Sequence, residues 1–147
     1  MEIERKFTIR TLPDLQKYSF HKIKQAYLNT DPVIRIRKED EHYYMTYKGK
    51  GLLAREEYNL PLNQTAFEHL LDKADGIIIA KTRYLIPYET YTIELDIFED
   101  ELAPLIIAEV EFETEEEAHA FLPPEWFLDD VTMNADYHNS NLSRSKN

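Results

Sequence analysis

The sequence predicts a mainly β domain of the α+β class: an eight-stranded antiparallel barrel with flanking helices. Three observations carry that expectation. Short stretches of alternating polarity fill most of the chain, separated by turn residues. In most of them the polar positions are charged, and the charges are sorted by sign. The apolar positions opposite them need cover, and only a few helical segments are present to supply it.

The strands are predicted at roughly 2–9, 23–29, 33–39, 42–49, 53–60, 79–86, 90–98 and 106–113. Asn29-Thr30-Asp31-Pro32 reads as a hairpin turn, because Asn and Asp favour turns and Pro presets its own φ. Lys38 to His42 and Lys48 to Gly51 are candidates for two more. A helix over 63–75 begins at an Asn63 cap and carries Phe67, Leu70 and Leu71 at helical spacing. A second, over 115–121, follows Thr114 with Glu117 three positions on, a capping-box pattern, and Pro123-Pro124 ends it. A last short helix is expected over 135–144.

With 147 residues, the expectation is a single domain over 1–147. Acidic residues outnumber basic ones 28 to 17, for a net charge of -11, which argues against a nucleic-acid binder. A small anionic ligand stays open, since a local cluster of cations overrides net charge. The absence of cysteine excludes disulfides, thiolate metal sites and cysteine nucleophiles, and fits a reducing compartment. Met1 to Phe7 is too charged for a secretory leader and no apolar run approaches a membrane span, so a cytoplasmic protein is expected. There is no Ser/His/Asp set, P-loop or dinucleotide fingerprint.

The strand pattern is inverted. Glu2, Glu4 and Lys6 share one face of the first strand, while Ile3, Phe7 and Ile9 lie mostly on the other. Arg35 and Arg37 alternate with Ile34 and Ile36; Thr46 and Lys48 oppose Met45 and Tyr47. Arg55 and Glu57 share a face, as do Lys81 and Arg83. Glu94 and Asp96 oppose Ile93, Leu95 and Ile97; Glu109 and Glu111 oppose Ala108, Val110 and Phe112.

One reading puts these charges in solvent on an ordinary antiparallel sheet. Sorting by sign weighs against it: like charges two residues apart repel unless something of opposite charge sits between them. Carboxylate pairs invite divalent cations, and Arg/Lys pairs invite phosphate. A metal-bound polyphosphate satisfies both. If the apolar faces pack outward, the charged faces line a barrel with room for one small ligand, and so many charges require a wet or ligand-filled interior.

The ordered set resembles the CYTH superfamily, the triphosphate tunnel metalloenzymes. Glu2-Ile3-Glu4-Arg5-Lys6 is similar to that family's ExExK signature. Arg35/Arg37, Lys48, Arg55 with Glu57, Lys81 with Arg83, Glu94 with Asp96, and Glu109 with Glu111 follow in the family's order. The tail from Val131-Thr132 through Tyr137, Asn139 and Leu142 resembles the ending of short bacterial members. Asn59 departs from the pattern, where many members carry another acid.

The resemblance implies an eight-stranded tunnel and hydrolysis of a triphosphate, foremost inorganic tripolyphosphate, with Mg²⁺ or Mn²⁺. The alternatives are an adenylate cyclase of the same family, or a non-catalytic module that binds polyphosphate or nucleotides. It implies Glu2, Glu4 and Glu111 at a first metal, with Glu109, Asp96 and Glu94 at a second metal or the attacking water. Lys6, Arg35, Arg37, Lys48, Arg55, Lys81 and Arg83 would hold phosphate, and Lys6, Tyr27, Lys48, Glu57 and Arg83 form the catalytic set. Tyr27 would face the tunnel, with packing in the wall as its other reading; Arg55 and Glu57 would form a wall ion pair, orienting or merely structural. None of His21, His42, His69, His119 and His138 shows paired ligand spacing, and surface is the expectation for all five.

Overall fold

The computed structural model describes residues 1–144. Its ten strands are β1 (Glu2–Ile9), β2 (Phe20–Thr30), β3 (Val33–Glu39), β4 (His42–Lys48), β5 (Ala54–Arg55), β6 (Glu57–Leu62), β7 (Asp75–Tyr88), β8 (Tyr91–Phe98), β9 (Ile106–Glu111) and β10 (Phe127–Asp130). The helices are α1 (Gln64–Leu71), α2 (Glu115–Ala120) and α3 (Asn139–Leu142), none long and apolar enough to cross a membrane.

The sheet runs β10-β1-β9-β8-β7-β2-β3-β4-β6, and β5 returns to pair with β1. The ladders that join these strands are antiparallel. The expected eight staves are therefore present, but the stave at 53–60 is two strands. It breaks at Glu56 because its two ends serve different neighbours: β6 continues the hairpin from β4, while β5 closes the barrel against β1. That seam has only two rungs, Glu2↔Arg55 and Ile3↔Ala54. Residues further along complete β1's second edge: Lys6 N–H donates to Thr132 Oγ1 at 3.0 Å, and Val131 N–H to the Lys6 carbonyl at 2.9 Å. β10 was not expected, since four residues with two consecutive aspartates carry no alternation.

Asn63 caps α1, its Oδ1 accepting from Ala66 N–H at 2.7 Å, and Thr114 caps α2 through Glu117 N–H at 3.1 Å. α1 stops short of the expected 75, because the long strand β7 already begins at Asp75. The predicted C-terminal helix is instead two short turns, a 3-10 turn over Ala135–Tyr137 and α3, with His138 extended between them (φ -74°, ψ 138°). Gly76 lets this tail lie against β7: at its φ of 71° a Cβ would stand 2.2 Å from the Ser143 carbonyl.

Most apolar faces do pack outward. Phe7, Leu95, Val110 and Phe127 join Ala118 of α2, and Ala26 and Ile36 join Phe67 of α1. A third cluster has a different origin. Val33, Ile79, Phe98 and Ile107 share their strand faces with the charged positions, and they pack with Tyr27 and with Leu142 of α3. Along β3 the inward series is thus Val33, Arg35, Arg37, along β7 Ile79, Lys81, Arg83, and along β9 Ile107, Glu109, Glu111. β8 runs the other way and reads Glu94, Asp96, Phe98. An apolar plug closes one end of the barrel, and the position farthest from it is the most exposed of each series. Ile107 is 0% exposed, Glu109 4%, and Glu111 lies at the surface.

Candidate active site

Above the plug lies a cavity of about 220 Å³, reached by side chains from β1, β3, β4, β6, β7, β8 and β9. It borders a wider cleft of about 490 Å³, with Glu94 and Glu111 lining both. The cavity brings together Glu2, Glu4, Lys6, Arg35, Arg37 and Lys48. It also takes in Glu57, Arg83, Glu94, Glu109 and Glu111. Lys81 and Asp96 lie behind its surface, fully buried, and Arg55 and Tyr27 line a narrower space beside it.

Its charges fall into three groups. The first is self-neutralised. Asp96 holds Lys81 at 2.8 Å and takes a two-pronged grip from Arg83 Nε and Nη2 at 2.7 and 2.9 Å. Glu109 sits between Lys6 at 2.6 Å and Arg83 at 3.2 Å. Burial disfavours charge on both carboxyls, but these cations outweigh it and hold Asp96 below its usual range and Glu109 well below. Burial pulls Lys81 down to about 7, an effect Asp96 offsets only in part. Glu94 has one weaker partner, Arg83 at 3.4 Å, and burial raises its pKa.

The second group is an excess of negative charge. Glu4 and Glu111 face each other across β1 and β9, and each of Glu2, Glu4 and Glu111 offers an oxygen within 4.8 Å of the others. Lys48 reaches Glu2 at 2.9 Å and Lys6 reaches Glu4 at 3.2 Å, while Glu111 has no ion pair among the described residues. Burial, then repulsion from Glu94, Glu4 and Glu2, pushes Glu111 up to about 7. An all-oxygen set under mutual repulsion is what a hard divalent cation relieves, so these residues fit such an ion.

The third group is an excess of positive charge. Arg35 donates from Nη2 to Thr46 Oγ1 at 3.0 Å, and Arg55 donates from Nη1 to His138 Nδ1 at 3.2 Å. Neither has a carboxylate partner among the described residues, and the Nε of each is buried with none at all. Arg37 is held mainly by Gln25 Oε1, at 2.9 Å from Nε and 2.6 Å from Nη2. Burial, then repulsion from Arg35 and Arg83, lowers it to about 10.

Two expectations need revision. Arg55 and Glu57 are on different strands and do not pair: Glu57 lies 3.6 Å from Lys48, and Arg55 turns to His138. His138, expected at the surface, is 6% exposed and lines the narrow space with Tyr27, Arg35 and Arg55. Burial and the charges of Lys6 and Arg55 lower its pKa. No spacing rule finds a single histidine, and its signal was indirect: its place in the tail segment matched by the resemblance. Tyr27 packs in the plug and also lines the narrow space, its hydroxyl accepting from Gln25 Nε2 at 2.9 Å. Thr46, Asn59, Asn139 and Gln25, uncharged and so given no role by a search for sorted charges, orient the ionic groups. Asn139 accepts from Lys81 at 3.2 Å, and Asn59 accepts from Thr46 at 2.6 Å.

The CYTH domain matches residues 1–143 of the chain. An inorganic triphosphatase of Nitrosomonas europaea is 40% identical, over 98% of this chain and 97% of its own. Another inorganic triphosphatase, from Acetivibrio thermocellus, is 32% identical over 98% of this chain and 94% of its own. A crystal structure of the inorganic triphosphatase NE1496 superposes with a TM-score of 0.75 at 37% identity, covering 99% of this chain and 96% of that one. Sequence, fold and the site's charges agree: this chain belongs to the CYTH domain family.

Proposed function

We propose that the protein hydrolyses inorganic tripolyphosphate to pyrophosphate and phosphate with a divalent cation, Mg²⁺ or Mn²⁺, in the cytoplasm. One observation carries this reading. The cavity and the narrow space beside it hold a carboxylate cluster short of cations and arginines short of anions. Only a ligand bringing both charges relieves both. The two inorganic triphosphatases that match nearly the whole chain support the same substrate class.

Glu2, Glu4 and Glu111 would hold the cation. When bound, it neutralises charge on phosphoryl oxygens and helps to orient them. Arg35, Arg37 and Arg55 present N–H groups to phosphate, where the planar guanidinium favours two-pronged contacts. Lys6 and Lys48 add point charges; held by Glu109 and Glu2, they are already in place before substrate arrives. Of the acids assigned to the attacking water, Asp96 and Glu109 are locked between two cations each. Glu94, held only by Arg83 at 3.4 Å, would orient a water at the mouth and take its proton as the oxygen attacks the terminal phosphorus. The bridging P–O bond breaks and pyrophosphate departs.

The test is phosphate release from tripolyphosphate, ATP and pyrophosphate with Mg²⁺, Mn²⁺ or EDTA. Rapid, EDTA-sensitive release from tripolyphosphate with ATP far slower is expected. Absence of turnover on all three would sink the proposal, and cyclic AMP from ATP would replace hydrolysis with cyclisation.

A further inference from the structure

His138 has no role in the site as drawn so far, yet it is built into it. The chain leaves the 3-10 turn at Tyr137 and re-enters α3 at Asn139, so His138 alone is extended, and it is buried at 6% exposure. Its tautomer follows from its neighbour. Arginine can only donate, so His138 Nδ1 accepts from Arg55 Nη1 at 3.2 Å. The neutral ring then carries its proton on Nε2, and that buried atom has no partner among the described residues.

Buried N–H groups without acceptors are rare. Here three lie on residues of one narrow space of about 20 Å³: His138 Nε2, Arg35 Nε and Arg55 Nε. Lys6 and Lys48 also line that space, with Glu4 as its one carboxylate. Three unsatisfied donors among cations that outnumber the one carboxylate describe half of an anion site.

We propose that His138 is a substrate-binding residue: its Nε2–H donates to an oxygen of the phosphoryl group seated deepest, beside Arg35 and Arg55. Arg55 has two tasks, holding phosphate and fixing the tautomer of its neighbour. The assignment rests on the tripolyphosphate reading above. It makes the tail, and not only the barrel, part of the binding surface.

The experiment compares wild type, His138→Leu and His138→Gln with tripolyphosphate and Mg²⁺. The Leu variant keeps the bulk and loses the donor, and the Gln amide places an N–H close to the Nε2 position. KM rises roughly ten- to a hundredfold for Leu, the cost of a hydrogen bond to a charged acceptor, with kcat changed far less. Gln recovers most of it. A Leu variant with the wild-type KM overturns the proposal, as does a folded Gln variant no better than Leu. Should the Leu variant not fold, the wild type labelled with ¹⁵N decides. The His138 Nε2–H resonance shifts and exchanges more slowly on adding a non-hydrolysable imido-bridged tripolyphosphate with Mg²⁺, and an unmoved resonance overturns the assignment. A wild type inert towards tripolyphosphate overturns the functional reading and this one together, whereas an active wild type beside an equally active Leu variant removes His138 alone.

Discussion

Two parts of the barrel wall carry the same kinds of side chain in opposite states. On β7 and β8, Lys81 and Arg83 close on Asp96, and Arg83 extends the network to Glu109, so charge is balanced within the protein. Along the seam between β1 and β5 it is not. Two lysines pair with Glu4 and Glu2 and leave Glu111 with none, and Arg55 and nearby Arg35 have no carboxylate partner among the described residues. On the function proposed above, the balanced wall would act as scaffold and the unbalanced one would be completed by a ligand. Buried ion pairs hold geometry more than they add stability, but removing one partner is costly because the other stays behind unpaired.

Variants on the two walls should therefore fail differently. Glu4→Ala on the seam side should lower kcat/KM on the order of a thousandfold, since a bound cation's charge stabilisation is worth several kcal/mol. Its far-ultraviolet circular dichroism should stay that of the wild type; full activity would remove the metal assignment. Asp96→Ala on the balanced wall should cost about 3–5 kcal/mol in urea unfolding, because it strands buried Lys81 without a counter-charge and leaves Arg83 only its longer contacts with Glu109 and Glu94. A neutral result there would erase the distinction between the walls. Arg35→Ala should raise KM roughly ten- to a hundredfold while shifting stability by no more than about 1 kcal/mol, since it breaks no ion pair.

The pH dependence sharpens the same contrast. Glu111 has its pKa raised to about 7 from 4.5, so the folded protein holds that proton more tightly than the unfolded chain. Its contribution to stability is present below about 4.5 and is lost as the pH rises through 7. Metal-free protein should lose stability over that window, and added Mg²⁺ should restore it at the upper end. Thermal melts at several pH values with and without EDTA would show this, and a metal effect that is the same at every pH would contradict it. The smallest effect belongs to Glu56→Ala: its side chain is exposed at the break between β5 and β6, and both activity and stability should stay within about 0.5 kcal/mol of wild type.

Much of this was legible in the sequence because strands have a strict period of two. Charges at Glu2, Glu4 and Lys6 can only lie on one face, and β1 and β3 fall where the alternation places them. The interior plug was not legible. Val33, Ile79, Phe98 and Ile107 share a parity with the charged positions, but an apolar residue at a strand end looks like any other. Only the tertiary arrangement shows that they meet Leu142 of α3. Nor could alternation show that like-signed neighbours on one strand would be satisfied by their counterparts on the next. Arg83↔Asp96 is a matter of register between β7 and β8, which a single strand does not encode. The split at Glu56 and the inward turn of His138 depend likewise on partners far along the chain.

The two-rung seam has a thermal consequence. β7 and β8 share eight paired positions, while β1 and β5 share Glu2↔Arg55 and Ile3↔Ala54. Regions open locally in order of how little holds them, so this edge should let go before the β7–β8 ladder. Its two rungs carry Glu2 and Arg55, one from each of the unbalanced charge groups. Warming the free protein should thus scatter the proposed ligand-binding groups while most of the secondary structure persists, and activity should have a melting point of its own, below that of the barrel.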